Sequence, residues 1–219
     1  MNSSNKSTKE IFNKIEKEAR VIISLKGSHG WEHTQRVYRL CMHIGKKEKA
    51  DLEVLGFAAV LHDICRKDED NTGGRICHAK KGAQVAGRIL EKYGLDKERI
   101  SKVLHCIETH RFRGNKRHDS LEAKVLFDSD KLDSIGAVGI GRAFQFAGEV
   151  GAKLHNREVS ISKTKPYTIE DTAYREYIIK LIKIKQNIIT KEGKRIARKR
   201  HDFMKKFFKK LDLEVKGIE

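Results

Sequence analysis

The stretch DLEVLGFAAVLHDIC, residues 51–65, is apolar on nearly every side until it closes on a histidine and an aspartate. A helix that is hydrophobic all round is an enclosed one, so this segment predicts a central helix. Outward from it the helical period recurs. Ile11, Ile15, Ala19 and Ile22 keep that spacing, as do Val37, Leu40, Cys41 and Ile44. Further helical patterns run over 79–93, 96–110, 120–133, 136–150, 171–190 and 193–211. Strong strand alternation is missing; a weak one over 159–162 predicts a short extended piece. A single proline, Pro166, in a chain rich in Lys, Glu, Ile and Leu favours long helices over a many-turned β fold. The predicted class is all-α.

Composition narrows the function classes. The 219 residues suffice for one large or two small domains, and 38% of them are hydrophobic, which excludes disorder throughout. No apolar run approaches the ~20 residues of a membrane helix. The polar start is not a secretory h-region, so a soluble, cytoplasmic protein is expected. Four cysteines stand 24, 12 and 29 residues apart without a C-x-x-C pair, which argues for reduced core thiols rather than a thiolate zinc site. The segments 65–78 and 151–168 lack helical period and read as binding loops or as surface padding.

Four polar residues fall on faces that should be buried. His33 lies on the stripe of Val37, Leu40, Cys41 and Ile44. His62 and Asp63 share the face of Leu52, Leu55 and Ala59, and Asp130 lies in line with Ala123, Leu126 and Phe127. A buried, unpaired carboxylate costs several kcal/mol, so such groups need a cation or several hydrogen bonds. One divalent ion bound by His33, His62, Asp63 and Asp130 answers all four; the mixed N/O set suits Mn, Mg, Fe, Ni or Zn. The competing reading is four separately satisfied core residues, since periodicity alone does not bring three helices together.

The same residues carry a resemblance. His33, then Leu61-His62-Asp63-Ile64, then Asp128-Ser129-Asp130-Lys131-Leu132-Asp133 resembles the H…HD…D signature of HD-domain metal-dependent phosphohydrolases. The blocks His29-Gly30-Trp31-Glu32-His33-Thr34-Gln35-Arg36-Val37, Ser129 to Ala137, and Arg200-His201-Asp202-Phe203-Met204 look like the YpgQ/YedJ-like branch. The family usually has an acidic residue where this chain has Gly30, a difference at a helix start rather than at a ligand. The resemblance implies an HD-domain helical fold with a C-terminal helical extension and a metal held by His33, His62, Asp63 and Asp130. It leaves His29 as a helix-start residue or a group behind the ligands. No Pro/Gly/Ser linker separates the periodic blocks, so a single-domain organisation is expected: a tail and first helix over 1–27, a metal-binding core over 28–150, and a loop with C-terminal helices over 151–219.

A divalent ion activates water and polarises a phosphoryl oxygen, which leaves cations and a proton donor to be supplied. His78 begins a predicted helix whose free N–H groups suit a phosphate. His110 ends another, followed by Arg111 and Arg113. In two-metal HD proteins histidines at similar places hold a second ion, so Asp63, His78 and His110 are the catalytic candidates. Against this, a histidine also serves as an ordinary C-terminal helix cap. Lys67, Arg111 and Lys131 are the substrate-binding candidates, weighed against ordinary solvated cations. Asp68, Glu69 and Asp70 follow the His62-Asp63 pair where some HD enzymes place a catalytic acid; the alternative is a solvated acidic run. Gly136, Gly139 and Gly141 follow no strand, which excludes a dinucleotide loop and leaves close helix packing.

Residues 174–210 hold 14 Lys+Arg against 3 Asp+Glu, much of the formal net charge of +17. Such a face suits nucleic acid. Ile196, Phe203, Met204, Phe207 and Leu211 nevertheless form an apolar stripe, and no aromatic interleaving of the base-stacking kind occurs. The expectation is therefore a metal-dependent phosphohydrolase of a small phosphorylated substrate. The resemblance points to a nucleoside triphosphate cleaved to monophosphate and pyrophosphate. A nucleotide monophosphatase, a phosphodiesterase with two metals, and a basic nucleic-acid-binding protein with a structural metal are the alternatives.

Overall fold

Asp51 starts the enclosed helix. Its carboxylate accepts from the backbone N–H of Glu53 and Val54 at 2.9 and 3.1 Å, meeting two of the donors that a helix start leaves open. The helix that follows, Leu52–Leu61, buries every residue from Val54 onward. The computed structural model describes residues 3–23, 30–111 and 118–218; His29 and Arg113 lie outside them. Its helices in chain order are α1 (Ser3–Ile23), α2 (Trp31–Glu48), α3 (Leu52–Leu61), α4 (Arg66–Asn71), α5 (His78–Lys92), α6 (Lys97–Thr109), α7 (Leu121–Asp133), α8 (Gly136–Glu149), α9 (Ala173–Ile179) and α10 (Lys191–Val215). Among the described residues there is no strand, and the class is all-α as predicted.

The chain falls into two compact units, Met1–Asp130 and Lys131–Glu219. In the first, α3 packs against α1, α2 and α6, and α5 against α4 and α6. Phe57, Leu55, Leu61, Ile44, Leu90, Ile107 and Leu126 are fully buried there, each contributing roughly 1.5–3 kcal/mol of hydrophobic stabilisation. On α1 the buried stripe runs Ile15, Ala19, Ile23, while the expected Ile22 is 43% exposed; the stripe advances by four residues at each step. On α2, His33 and Thr34 share the buried face of Val37, Cys41 and Ile44. The four cysteines are unpaired, with Cys41, Cys65 and Cys106 buried and Cys77 partly exposed.

The second unit holds α8, α9 and α10, and here the sequence pattern needs correction. The single helix expected over 171–190 breaks at Lys180 (φ −128°, ψ −56°) into α9 and a 3₁₀ segment, Leu181–Asn187. Three residues per turn eclipse positions i and i+3, which puts Leu181 and Ile184 together, both buried. The extended piece expected over 159–162 is instead part of a loop with a 3₁₀ turn, Ile161–Lys163. That loop is tied down: Lys153 N–H donates to Ile169 O at 2.8 Å, Asn156 Nδ2 to Glu170 O at 2.9 Å, and Arg175 Nη1 to Asp171 Oδ1 at 2.7 Å. On α10 the buried residues are Gly193, Ala197, Met204, Phe208 and Asp212. Phe208 stacks on Tyr177 at 4.3 Å, whereas Phe203, expected on the stripe, is 48% exposed. Gly136 has φ +80°, and a Cβ there would lie 2.8 Å from Arg200 Cγ of α10, so its place in the glycine string is set by helix packing. No helix of the described residues is long and apolar enough to cross a membrane.

Candidate metal centre

The third residue of α2 and the residues just past α3 meet in the first unit. His33 and His62 approach Nε2 to Nε2 at 3.4 Å. Asp63 Oδ2 lies 3.6 Å from His33 Nε2 and 3.7 Å from His62 Nε2. Asp130, on α7 with its side chain 16% exposed, brings Oδ1 to 3.4 Å from His33 Nε2. The donor atoms of His33, His62 and Asp63 all lie within 4.8 Å of one another.

The other carboxylate oxygen of Asp63 faces a second pair of imidazoles. His78, the first residue of α5, places Nε2 3.2 Å from Asp63 Oδ1, and His110, just past α6, places its own at 3.7 Å. The two Nε2 atoms are 3.1 Å apart, and this triad too fits within 4.8 Å. Asp63 is thus shared, with Oδ2 toward His33 and His62 and Oδ1 toward His78 and His110.

What lies behind the rings fixes their protons. His62 Nδ1–H donates to Ala59 O at 2.8 Å and His110 Nδ1–H to Ile107 O at 2.6 Å. His78 Nδ1–H donates to Glu69 Oε2 at 2.8 Å. A carbonyl or carboxylate only accepts, so the neutral rings carry their proton on Nδ1 and turn bare Nε2 lone pairs inward. Burial pushes His62 down to about 4, despite the nearby Asp63 charge. Burial alone would raise Asp63; protonated or Nε2-donating rings of His62, His110, His78 and His33 would outweigh that and hold it well below the usual carboxylate range. Lone pairs and a carboxylate converging in a buried place call for a cation. Donor atoms 3.1–3.7 Å apart are near the roughly 3 Å edge of a site with bonds of about 2.1 Å. The donor set therefore fits a divalent ion.

The remaining sequence candidates sort by position. Lys67 is exposed on α4, and the charge of the arginine before it, Arg66, interacts with Asp63. Lys131 follows Asp130 on α7 and is half-buried. Arg111 donates from Nη1 and Nη2 to Glu69 at 2.6 and 2.8 Å. The acidic run divides: Asp68 pairs with Lys81 at 2.9 Å and Asp70 with Arg66 at 3.1 Å, both on the surface. Glu69 is buried. Burial would raise its carboxyl, but hydrogen bonds from His78 N–H and Nδ1–H, with the Arg111 charge, bring it down to about 2. No local pattern signals the contact of Glu69 with His78, nine residues on, because no helical period links them.

The HD-domain family profile matches residues 30–135. YpgQ of Bacillus subtilis strain 168 is 34% identical over 195 residues, covering 87% of this chain and 86% of that one. The chain belongs to the HD-domain phosphohydrolase superfamily, in its YpgQ-like branch. This HD-domain protein is a metal-dependent phosphohydrolase whose His/Asp cluster suits a divalent ion. The crystal structure of Bacillus subtilis YpgQ in complex with ADP matches it with a TM-score of 0.76 at 29% identity, covering 97% of this chain and 98% of that one. An HD-superfamily hydrolase from Bacillus thuringiensis, 24% identical, shares the fold with a TM-score of 0.76 over 95% of this chain and 98% of its own.

Proposed function

We propose that this HD-domain protein hydrolyses a nucleotide, cleaving a nucleoside triphosphate to the monophosphate and pyrophosphate. The observation that carries the substrate class is the ADP complex of YpgQ, a relative matched over nearly all of both chains. On this reading His33, His62, Asp63 and Asp130 hold the ion, which supplies an activated water and a polarised phosphoryl oxygen when bound. Water attacks the α-phosphorus and the bond to the β-phosphate oxygen breaks, releasing pyrophosphate. His78 and His110, on the Oδ1 side of Asp63, face the phosphates directly or through a second ion, for which their Nε2 atoms and Asp63 Oδ1 form a second donor set. Arg66 and Lys131 stand beside ligand residues as cations for the polyphosphate.

A panel of dNTPs, NTPs, NMPs and cyclic dinucleotides, assayed with Mn, Mg, Co and Zn, tests this. Monophosphate and pyrophosphate in equal amounts from triphosphates is the expected result. Phosphate released from monophosphates alone would favour a monophosphatase, opened cyclic dinucleotides would favour a phosphodiesterase, and turnover of none would overturn the nucleotide reading.

A further inference from the structure

We propose that Glu69, braced by Arg111, is the positioning residue of His78, holding the proton on Nδ1 so that the Nε2 lone pair faces Asp63 Oδ1 and His110. This rests on the reading of His78 as a site residue given above. Glu69 Oε2 receives the backbone N–H of His78 at 3.0 Å, its Nδ1–H at 2.8 Å and Arg111 Nη1 at 2.6 Å. Oε1 receives Arg111 Nη2 at 2.8 Å. One carboxylate thus caps the start of α5 and orients the ring that opens it, while the arginine fork fixes the carboxylate.

The need for it follows from a competition. A neutral imidazole has one N–H, and His78 stands between two carboxylates, Glu69 at 2.8 Å from Nδ1 and Asp63 Oδ1 at 3.2 Å from Nε2. If Asp63 takes the proton, Nε2 stops being a lone pair and the Oδ1 side loses a donor atom. Glu69 has the shorter contact, and the same oxygen also holds the backbone N–H, which cannot turn away. That makes Glu69 the acceptor that decides the tautomer. Arg111 then serves His78 through Glu69 instead of binding phosphate.

Ring-nitrogen NMR of the metal-free protein reads the tautomer, with the His78 signal assigned by its loss in His78→Ala. The wild type is expected as the Nδ1–H form and Glu69→Ala as the Nε2–H form. Glu69→Gln should keep Nδ1–H, because the fixed His78 backbone N–H holds the amide carbonyl in place of Oε2. In turnover, Glu69→Ala should lower kcat by about 10–100-fold with KM nearly unchanged, and Glu69→Gln should recover most of it. An Nδ1–H tautomer and wild-type kcat in Glu69→Ala would overturn the proposal. Should Glu69→Ala not fold, an Nε2–H tautomer in Glu69→Gln would do the same. If His78→Ala itself turns over like the wild type, the fault lies in the reading of His78, and the positioning role falls with it.

Discussion

His62 and His110 stand at the ends of helices and His78 at the start of one, and that difference decides what each ring needs. A helix end offers carbonyls without partners, and a helix start offers N–H groups without partners. His62 and His110 each donate Nδ1–H to the carbonyl three residues back in their own chain, Ala59 O and Ile107 O. His78 has no such carbonyl behind it, so its ring and its backbone N–H both go to Glu69. Rings at helix ends orient themselves, and the ring at a helix start depends on another element.

The sharpest way to break that comparison is to remove the group on which the three rings converge. Asp63→Ala takes one oxygen from each donor triad, so bound metal should be lost and hydrolysis should fall to background while the helical circular dichroism persists. His62→Ala should lose the ion as well, whereas His78→Ala should keep the ion held by His33, His62 and Asp130 with Asp63. Metal analysis of the purified variants checks all three. Full occupancy in Asp63→Ala and His62→Ala would sink the ligand assignment.

The same contrast explains what was legible in the sequence. His33, His62, Asp63 and Asp130 stood out because each interrupts an apolar stripe, and a stripe is a local pattern. The fold was legible for the same reason around α3, where Asp51 caps a segment apolar on all sides. The break at Lys180 and the outward turn of Phe203 were not, since a 3₁₀ segment and a tilt of the buried face depend on packing rather than on period. Glu69 was hidden in a run of three acids, two of which are surface ion-pair partners. Only its burial and its distance to His78 separate it from them, and neither is written in local sequence.

Acid should separate the groups with a smaller effect. His62 has a folded-state value of about 4 against an ordinary 6.5, so its contribution is present above pH 6.5 and is lost as pH falls toward 4. At 1.36 kcal/mol per unit this is on the order of 3 kcal/mol in the metal-free protein. Glu69, about 2 against an ordinary 4.5, contributes with the same sign but lower, its part disappearing below about pH 4.5. Thermal unfolding of chelator-treated protein should therefore show Tm falling from pH 7 to 4 and again below. Glu69→Gln should keep the upper fall and flatten the lower one. A wild-type Tm that is level between pH 7 and 4.5 would contradict the neutral, buried His62.

The smallest effect is expected farthest from these hydrogen bonds in kind, on the basic surface of α10. Lys199 and Lys206 are exposed, and the buried face of that helix is carried by Ala197, Met204 and Phe208. Lys199→Glu with Lys206→Glu should leave fold and metal content unchanged. Turnover of a small nucleotide should fall modestly at low salt, through weaker steering of a polyanion. Near 0.15 M, where the screening length is about 8 Å, it should hardly change. A nucleic-acid-binding role predicts otherwise, because removing two phosphate contacts flattens the salt slope of DNA or RNA binding by roughly two units. Both measurements use one preparation. Salt-sensitive nucleic-acid binding that collapses in the double variant, with no nucleotide hydrolysis by the wild type, would move the function from the imidazole cluster to the basic helix. Hydrolysis indifferent to those charges would keep it at Asp63, where the chain supplies hydrogen bonds and buried donors rather than net charge.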